Sequence, residues 1–206
     1  MNYQLGLTLL LALMLSACMS NKESKNELDG MKNESQYVNN LQSDNQDLNL
    51  QIRNIESAYQ DLEHRLETEI ANKQVTVDYI KDASVALTLS QAVLFRSGSD
   101  GLSQHGKVVL KKVSNVLKTL PRGENIRIVG HSDNVPIGGP LRHKYSDNWD
   151  LSAKRAAVVA RYFIWSHRIP QDRFRIEGRA HTNPVATNKT SQGRQKNRRI
   201  EIFIEH

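Results

Sequence analysis

The sequence predicts an α+β domain, a mixed sheet with two main helices on one face, preceded by a long coiled-coil helix. Within residues 85–206, apolar residues alternate in short stretches and recur at helical spacing in two longer ones, as they do when helices cover one face of a sheet. A heptad seam occupies the segment before them. The charge is divided in the same way: residues 1–84 hold 7 Lys/Arg against 13 Asp/Glu, whereas residues 85–206 hold 21 against 9, although the whole chain carries only +6. That asymmetry points to an acidic spacer joined to a basic module that meets an anionic partner. A length of 206 residues with 38% hydrophobic content suits one domain and an extension, not a multidomain enzyme.

From Leu5 to Met14 the chain has an apolar run of the length of a secretory signal core, too short to span a bilayer. Leu15-Ser16-Ala17-Cys18 follows it and resembles the lipobox of bacterial lipoproteins. That resemblance implies a signal peptide over residues 1–17, acylation of Cys18 (palmitate among the chains) and a lipid anchor; Met19 after it implies release to the outer membrane, facing the periplasm. Cys18 is also the only cysteine, so it has no internal disulfide to form in an oxidising compartment. The competing reading is an incidental small residue in a membrane anchor. Residues 18–37, rich in Asn, Ser, Lys and Glu, are expected to be a flexible tether.

Val38, Leu41, Asn45, Leu48, Ile52, Ile55, Tyr59, Leu62 and Leu66 are spaced three and four apart in alternation. This heptad seam predicts a coiled coil over 38–84 and a homo-oligomer, with Asn45 fixing register at an a position. A single amphipathic helix folded back on the basic domain is the alternative.

In the basic half, Val85, Leu87 and Leu89 lead to Val93-Leu94-Phe95, an interrupted first strand. Val109, Val113, Val116, Leu117 and Leu120 form a helical face that Pro121 ends. Ile126 and Ile128 mark a second strand ending at Gly130, and His131 to Asp150, with two prolines and two glycines, is a loop. A second helix starts near Ser152, with Ala156, Val159, Ala160, Phe163 and Ile164 on one face. Phe174 and Ile176 mark a third strand, and Ile200, Ile202 and Ile204 a fourth.

Four blocks then match a known signature in order: Gly130-His131-Ser132-Asp133, Asn148-Trp149-Asp150-Leu151-Ser152-Ala153-Lys154-Arg155-Ala156, Pro184-Val185-Ala186-Thr187-Asn188, and Gly193-Arg194-Gln195-Lys196-Asn197-Arg198-Arg199-Ile200-Glu201. They resemble OmpA-like peptidoglycan-binding domains, and residues 132–156 resemble most the branch found in flagellar stator B-subunits. The resemblance implies a βαβαββ-type mixed sheet over residues 85–206 and non-covalent binding of the diaminopimelate-containing stem peptide of the cell wall. It implies a binding site at Asp133, Arg155, Asn148 and Ser132, with Asn148 either orienting the loop or touching ligand. Arg194, Asn197 and Arg198 are expected to be structural or to support the site from behind.

The residues themselves favour the same pair. Ser152 as N-cap would place Arg155 in the first helical turn, where the dipole disfavours a cation unless a carboxylate docks there. Asp133, just past a strand end, could take the ammonium of a zwitterion whose carboxylate meets Arg155. An ordinary Asp133–Arg155 surface salt bridge is the plainer alternative.

No His spacing suits a metal and no Gly-rich phosphate loop occurs, so no cofactor or metal is expected. A wall hydrolase is disfavoured for want of a Ser–His–Asp arrangement, leaving a binding protein and not an enzyme. Export removes nucleic acid as a partner for the basic half. Two functions remain: a lipoprotein tying the outer membrane or an envelope complex to peptidoglycan, or an accessory lipoprotein of a flagellar motor or secretion machine using the same grip.

Overall fold

A computed structural model describes the backbone of residues 3–80 and 84–205, and the side chains of residue 25 and of residues from 28 onward in those ranges, Pro140 apart. The side chains of the signal segment and of Cys18 lie outside the described residues. Among the described residues no helix is long and apolar enough to cross a membrane. The chain divides into two compact units, residues 1–50 and 51–206.

Helix α1 (Tyr3–Arg65) begins in the first unit and ends in the second. Residues 18–37, expected as a flexible tether, are therefore helical. With a single glycine, Gly30, and no proline in that stretch, no strong breaker stops propagation once the helix has nucleated. In the first unit the seam residues Val38, Leu41 and Leu48 are 45%, 43% and 52% exposed.

The second unit corrects the predicted coiled coil. Ile55, Ala58, Leu62 and Leu66 are buried in the core of the unit itself, so the lower seam packs on its own domain and not on another copy. Nor does the helix run on to the predicted end at residue 84. After the short helix α2 (Glu67–Ala71) and Lys73 at φ +57°, strand β1 (Val75–Ile80) pairs antiparallel with β2 (Ser84–Ser90). Val75, Val77 and Tyr79 have strand periodicity and a free sheet edge to pair with, which outweighs extension of the helix. The domain thus begins about thirty residues before the predicted boundary at 85, and buried Glu69 is tied to Lys112 across it at 2.7 Å.

The remaining elements are α3 (Gln91–Leu94), α4 (Gln104–Thr119), β3 (Asn125–Gly130), α5 (Asn148–Arg161), β4 (Phe174–Gly178), α6 (Ser191–Asn197) and β5 (Arg199–Glu205). Val93-Leu94-Phe95, expected as strand, is mostly the single turn α3, because Ser90 caps it by accepting from the Ala92 N–H at 3.3 Å. The sheet order is β1-β2-β5-β3-β4, with only β3 and β4 parallel. From β2 onward the main elements follow the expected βαβαββ order, and β1 adds an edge strand.

Register builds the core in rows. Val77, Leu87, Ile202 and Ile128 lie side by side, as do Tyr79, Val85, Ile204, Ile126 and Phe174. Val109, Leu110, Val113, Val116 and Leu117 of α4, and Ala156, Val159 and Ala160 of α5, pack into the same core cluster. The closest approach is at Gly130 and Gly178, where a Cβ would lie 2.1 Å from the Ser152 carbonyl oxygen and 2.6 Å from the Ala153 nitrogen. Glycine at both places lets α5 lie directly on the strand ends that carry the site.

The alternate residues of these strands carry charge. Arg127 stacks on Phe203 with its guanidinium 4.0 Å from the ring centroid and pairs with Glu205. Glu201 accepts from Arg199 at 2.7 Å and lies 3.0 Å from His131 Nε2. Burial alone would raise the Glu201 carboxyl, but these two hydrogen bonds and charges prevail and bring it down to about 2. A carboxyl lowered on folding stabilises the fold above its unfolded value and loses that contribution as pH falls towards the folded one. Urea unfolding should therefore show wild type losing up to about 3 kcal/mol more than Glu201→Gln between pH 6 and pH 2. Parallel pH dependence in the two proteins would sink this assignment.

Candidate ligand-binding site

The sheet order gathers the site at one end. Strands β2 and β3 point the same way and β5 runs between them in the opposite sense. Gln91 after β2, Asp133 after β3 and Arg198 before β5 are therefore neighbours. The backbone stitches them: the Gln91 N–H donates to the Arg198 carbonyl and the His131 N–H to the Arg199 carbonyl, both at 3.0 Å.

Asp133 is buried, and its side chain pairs with Arg198. Its other carboxylate oxygen accepts from the Val135 N–H at 3.0 Å, which turns the loop back on itself. Asn148 donates to the carbonyls of Asp133 (3.2 Å) and Val135 (2.9 Å), so it orients this loop. Ser132 donates to the Asp133 carbonyl at 2.9 Å, and its own N–H bonds the Ala180 carbonyl. Both residues brace the segment that presents Asp133.

Arg155 does not lie in the first turn of its helix. Asp147 is the N-cap, accepting from Trp149 and Asp150 N–H groups at 2.9 and 3.0 Å, which makes Arg155 the eighth residue of α5. Asp147 begins a stretch that is itself helix-compatible, with Asp150 in the favourable first turn, so the helix starts earlier than Ser152 predicts. Ser152 instead accepts from the Ala180 N–H at 3.1 Å and fastens the β4 exit to α5. The helix dipole therefore does not disfavour Arg155 where it stands, and its side chain still reaches the site, because long helical side chains lean towards the N-terminus.

There Arg155 donates to Gln91 Oε1 and to the Ser99 carbonyl at 3.2 Å, with its guanidinium 5.3 Å from the Phe95 ring centroid. Its Nε is buried without a hydrogen-bond partner. Burial pulls the guanidinium down to about 10, against the attraction of Asp100, so it remains a cation at neutral pH. The Asp133–Arg155 salt bridge of the plainer alternative is not formed: Asp133 pairs with Arg198 instead. Asp133 and Arg198 both act electrostatically on Arg155, the first favouring its charge and the second opposing it, so the three form one charge cluster.

Arg198, expected to be structural or to support the site from behind, holds the Asp133 carboxylate directly. Sequence reasoning missed Gln91 and the 96–101 turn. Nothing in the spacing of Gln91 marks it; strand pairing alone brings it to Arg155. Arg194, donating to the Asn188 carbonyl at 2.9 Å, and fully buried Asn197, bonding Val185, Ala186 and Asn188, hold the 185–189 loop. A cleft of about 310 Å³ opens beside the cluster, lined by Gln91, Phe95, Arg96, Gln195 and Arg198 among others. Tyr145 donates to Asp100 and fastens the long loop over the 96–101 turn. Burial together with that bond pushes its hydroxyl up to about 12. Among the described residues no three His, Cys, Asp or Glu side chains converge as a metal site.

A model of the OmpA family matches residues 94–198, more than half of the chain, and spans the loop, the helix and the final arginine cluster. The chain belongs to the OmpA family. Its OmpA-like domain is 33% identical to Motility protein B of Bacillus subtilis over 143 residues, 69% of this chain and 49% of that protein. It is 35% identical over 109 residues to the Peptidoglycan-binding protein ArfA of Mycobacterium tuberculosis, 52% of this chain and 31% of that one. The chain thus spans about half or less of these curated relatives. Among solved structures, the cell wall anchor of the T6SS from Pseudomonas aeruginosa superposes with a TM-score of 0.62 at 33% identity, covering 70% of this chain and 96% of that one. The OmpA-like domain thus stands in the stator B-subunit-like branch.

Proposed function

We propose that this chain is a non-enzymatic peptidoglycan-binding protein that grips the diaminopimelate of the stem peptide. The observation that carries this reading is the charge cluster at the sheet end: one carboxylate, Asp133, beside two guanidiniums, Arg155 and Arg198. The free end of diaminopimelate is an amino-acid zwitterion. Its ammonium matches Asp133 and its carboxylate matches the planar donors of the arginines. The mycobacterial relative named for peptidoglycan binding supports the same partner. Retention of the purified protein on isolated sacculi tests the reading; failure to co-sediment at physiological salt would refute it.

The anchor is proposed from the Leu15-Ser16-Ala17-Cys18 block: lipidation of Cys18 holds the protein at the outer membrane with its domain in the periplasm. Cys18→Ala should abolish fatty-acid labelling and release the protein from membranes; persistent labelling would contradict it. The exposed upper seam through Val38, Leu41 and Leu48 supports a homo-oligomer formed above residue 50. A peptide of residues 25–50 should then self-associate in sedimentation equilibrium, and a monomer at high micromolar concentration would remove that element.

A second reading, an accessory lipoprotein of a motor or secretion machine, draws on likeness to Motility protein B and to the T6SS anchor. Copurifying envelope components separate it from a free-standing anchor.

A further inference from the structure

A second cleft, of about 340 Å³, lies along α5 and is lined by Arg96, Leu102, Lys107, Val158, Arg161 and Trp165 among others. Arg96 lines this cleft and also the one beside the charge cluster, so the two are neighbours across that side chain. Arg155, Val158, Tyr162 and Trp165 follow helical spacing, which puts them on one stripe leading away from the cluster.

The far end of that stripe is built unlike a core. The helix widens into a π-turn over Tyr162–Ser166, a feature common at functional sites, which leaves Phe163 fully buried and Trp165 73% exposed. The guanidinium of Arg161 sits 5.7 Å from the centroid of the Trp165 ring. Arg96, Lys107 and Arg161 form no ion pair among the described residues. The groove therefore offers an exposed indole, with Arg161 over one side of it, among cations that form no ion pair.

From this geometry we infer that the groove is a second subsite for the same wall ligand: Trp165 stacks on a sugar ring of the glycan, and Arg96, Lys107 and Arg161 meet carboxylates of the peptide branch. The inference rests on the wall-binding reading above. A pyranose has an apolar C–H face that packs on an indole, while its hydroxyl rim stays in water. Cations beside that face suit an acidic branch. Length also agrees. Ten residues of helix separate Arg155 from Trp165, about 15 Å of rise. Three extended residues, from diaminopimelate to the lactyl ether of the sugar, together with that ether, span roughly the same distance.

Two probes separate the subsite from the clamp: a diaminopimelate-containing tripeptide without sugar, and the same peptide attached to its disaccharide. Calorimetric titration of the wild-type protein should show the disaccharide peptide binding about tenfold more tightly than the tripeptide. Trp165→Ala should lose that advantage and bind the tripeptide as wild type does, since so exposed a side chain contributes little to the fold. If wild type binds the tripeptide but gains nothing from the disaccharide, or if Trp165→Ala keeps the gain, the subsite is overturned and wall binding stands. If wild type binds neither probe, both readings fall. Loss of self-association in Trp165→Ala, with sugar binding intact, would reassign the face to a second copy.

Discussion

Asp133→Ala should weaken binding to isolated sacculi by about 30- to 1,000-fold, equivalent to about 2–4 kcal/mol, while leaving the fold intact. The bound ammonium would lose the carboxylate assigned to it. The fold should tolerate the change because the partner left behind, Arg198, has a side chain 35% exposed and can be solvated. Non-specific attraction of a basic domain to an anionic wall predicts the reverse, since removing Asp133 adds positive charge. Tighter binding by Asp133→Ala at low and moderate salt would therefore refute the clamp. Arg155 is less clean to test by truncation. It is buried against Phe95 and holds Gln91 and Ser99, so Arg155→Ala opens a cavity as well as removing a charge. Arg155→Lys, which keeps a cation but not the planar pair of donors, should still bind poorly.

Leu62→Ala should lower the stability of the domain itself by about 2–5 kcal/mol. The side chain is fully buried in the core that the strands and α4 also enter. For a unit of this size that corresponds to a melting point about 5–15 °C lower. If the lower seam served a coiled coil between chains, the same mutation would weaken association and the loss would vary with protein concentration. A concentration-independent fall is expected, and an unchanged melting point would show that α1 is not part of the fold. It also follows that a fragment beginning at residue 85 should be poorly folded, since it lacks β1 and the apolar face of α1.

Much of the domain could be read from local patterns. Alternation at Ile126 and Ile128, and at Ile200, Ile202 and Ile204, marked strands that form as expected. Val109, Val113, Val116 and Leu117 marked the buried face of α4. Where reading failed, local signals conflicted. Ser152 was a plausible cap, but Asp147 offered a better acceptor and a helix-compatible sequence after it. Val75 and Val77 were absorbed into a helical reading because the strand they form has value only once β2 is there to pair with it.

By itself the sequence determined the class of the domain and the four signature blocks, because these depend on residue type and on short-range periodicity, and the resemblance those blocks carry offered Asp133 and Arg155 as candidates. Only the tertiary structure decided which partner each of them takes. A heptad seam is an apolar stripe of fixed width, and nothing local tells whether another chain or the domain's own core will cover it; here the core covers Ile55, Leu62 and Leu66. In the same way, an arginine's charge is evident from the sequence, but whether it meets Asp133 depends on strand order. Placing β5 between β2 and β3 brings Arg198 to Asp133 and leaves Arg155 to Gln91, a pairing of residues more than sixty positions apart that no spacing in the chain encodes.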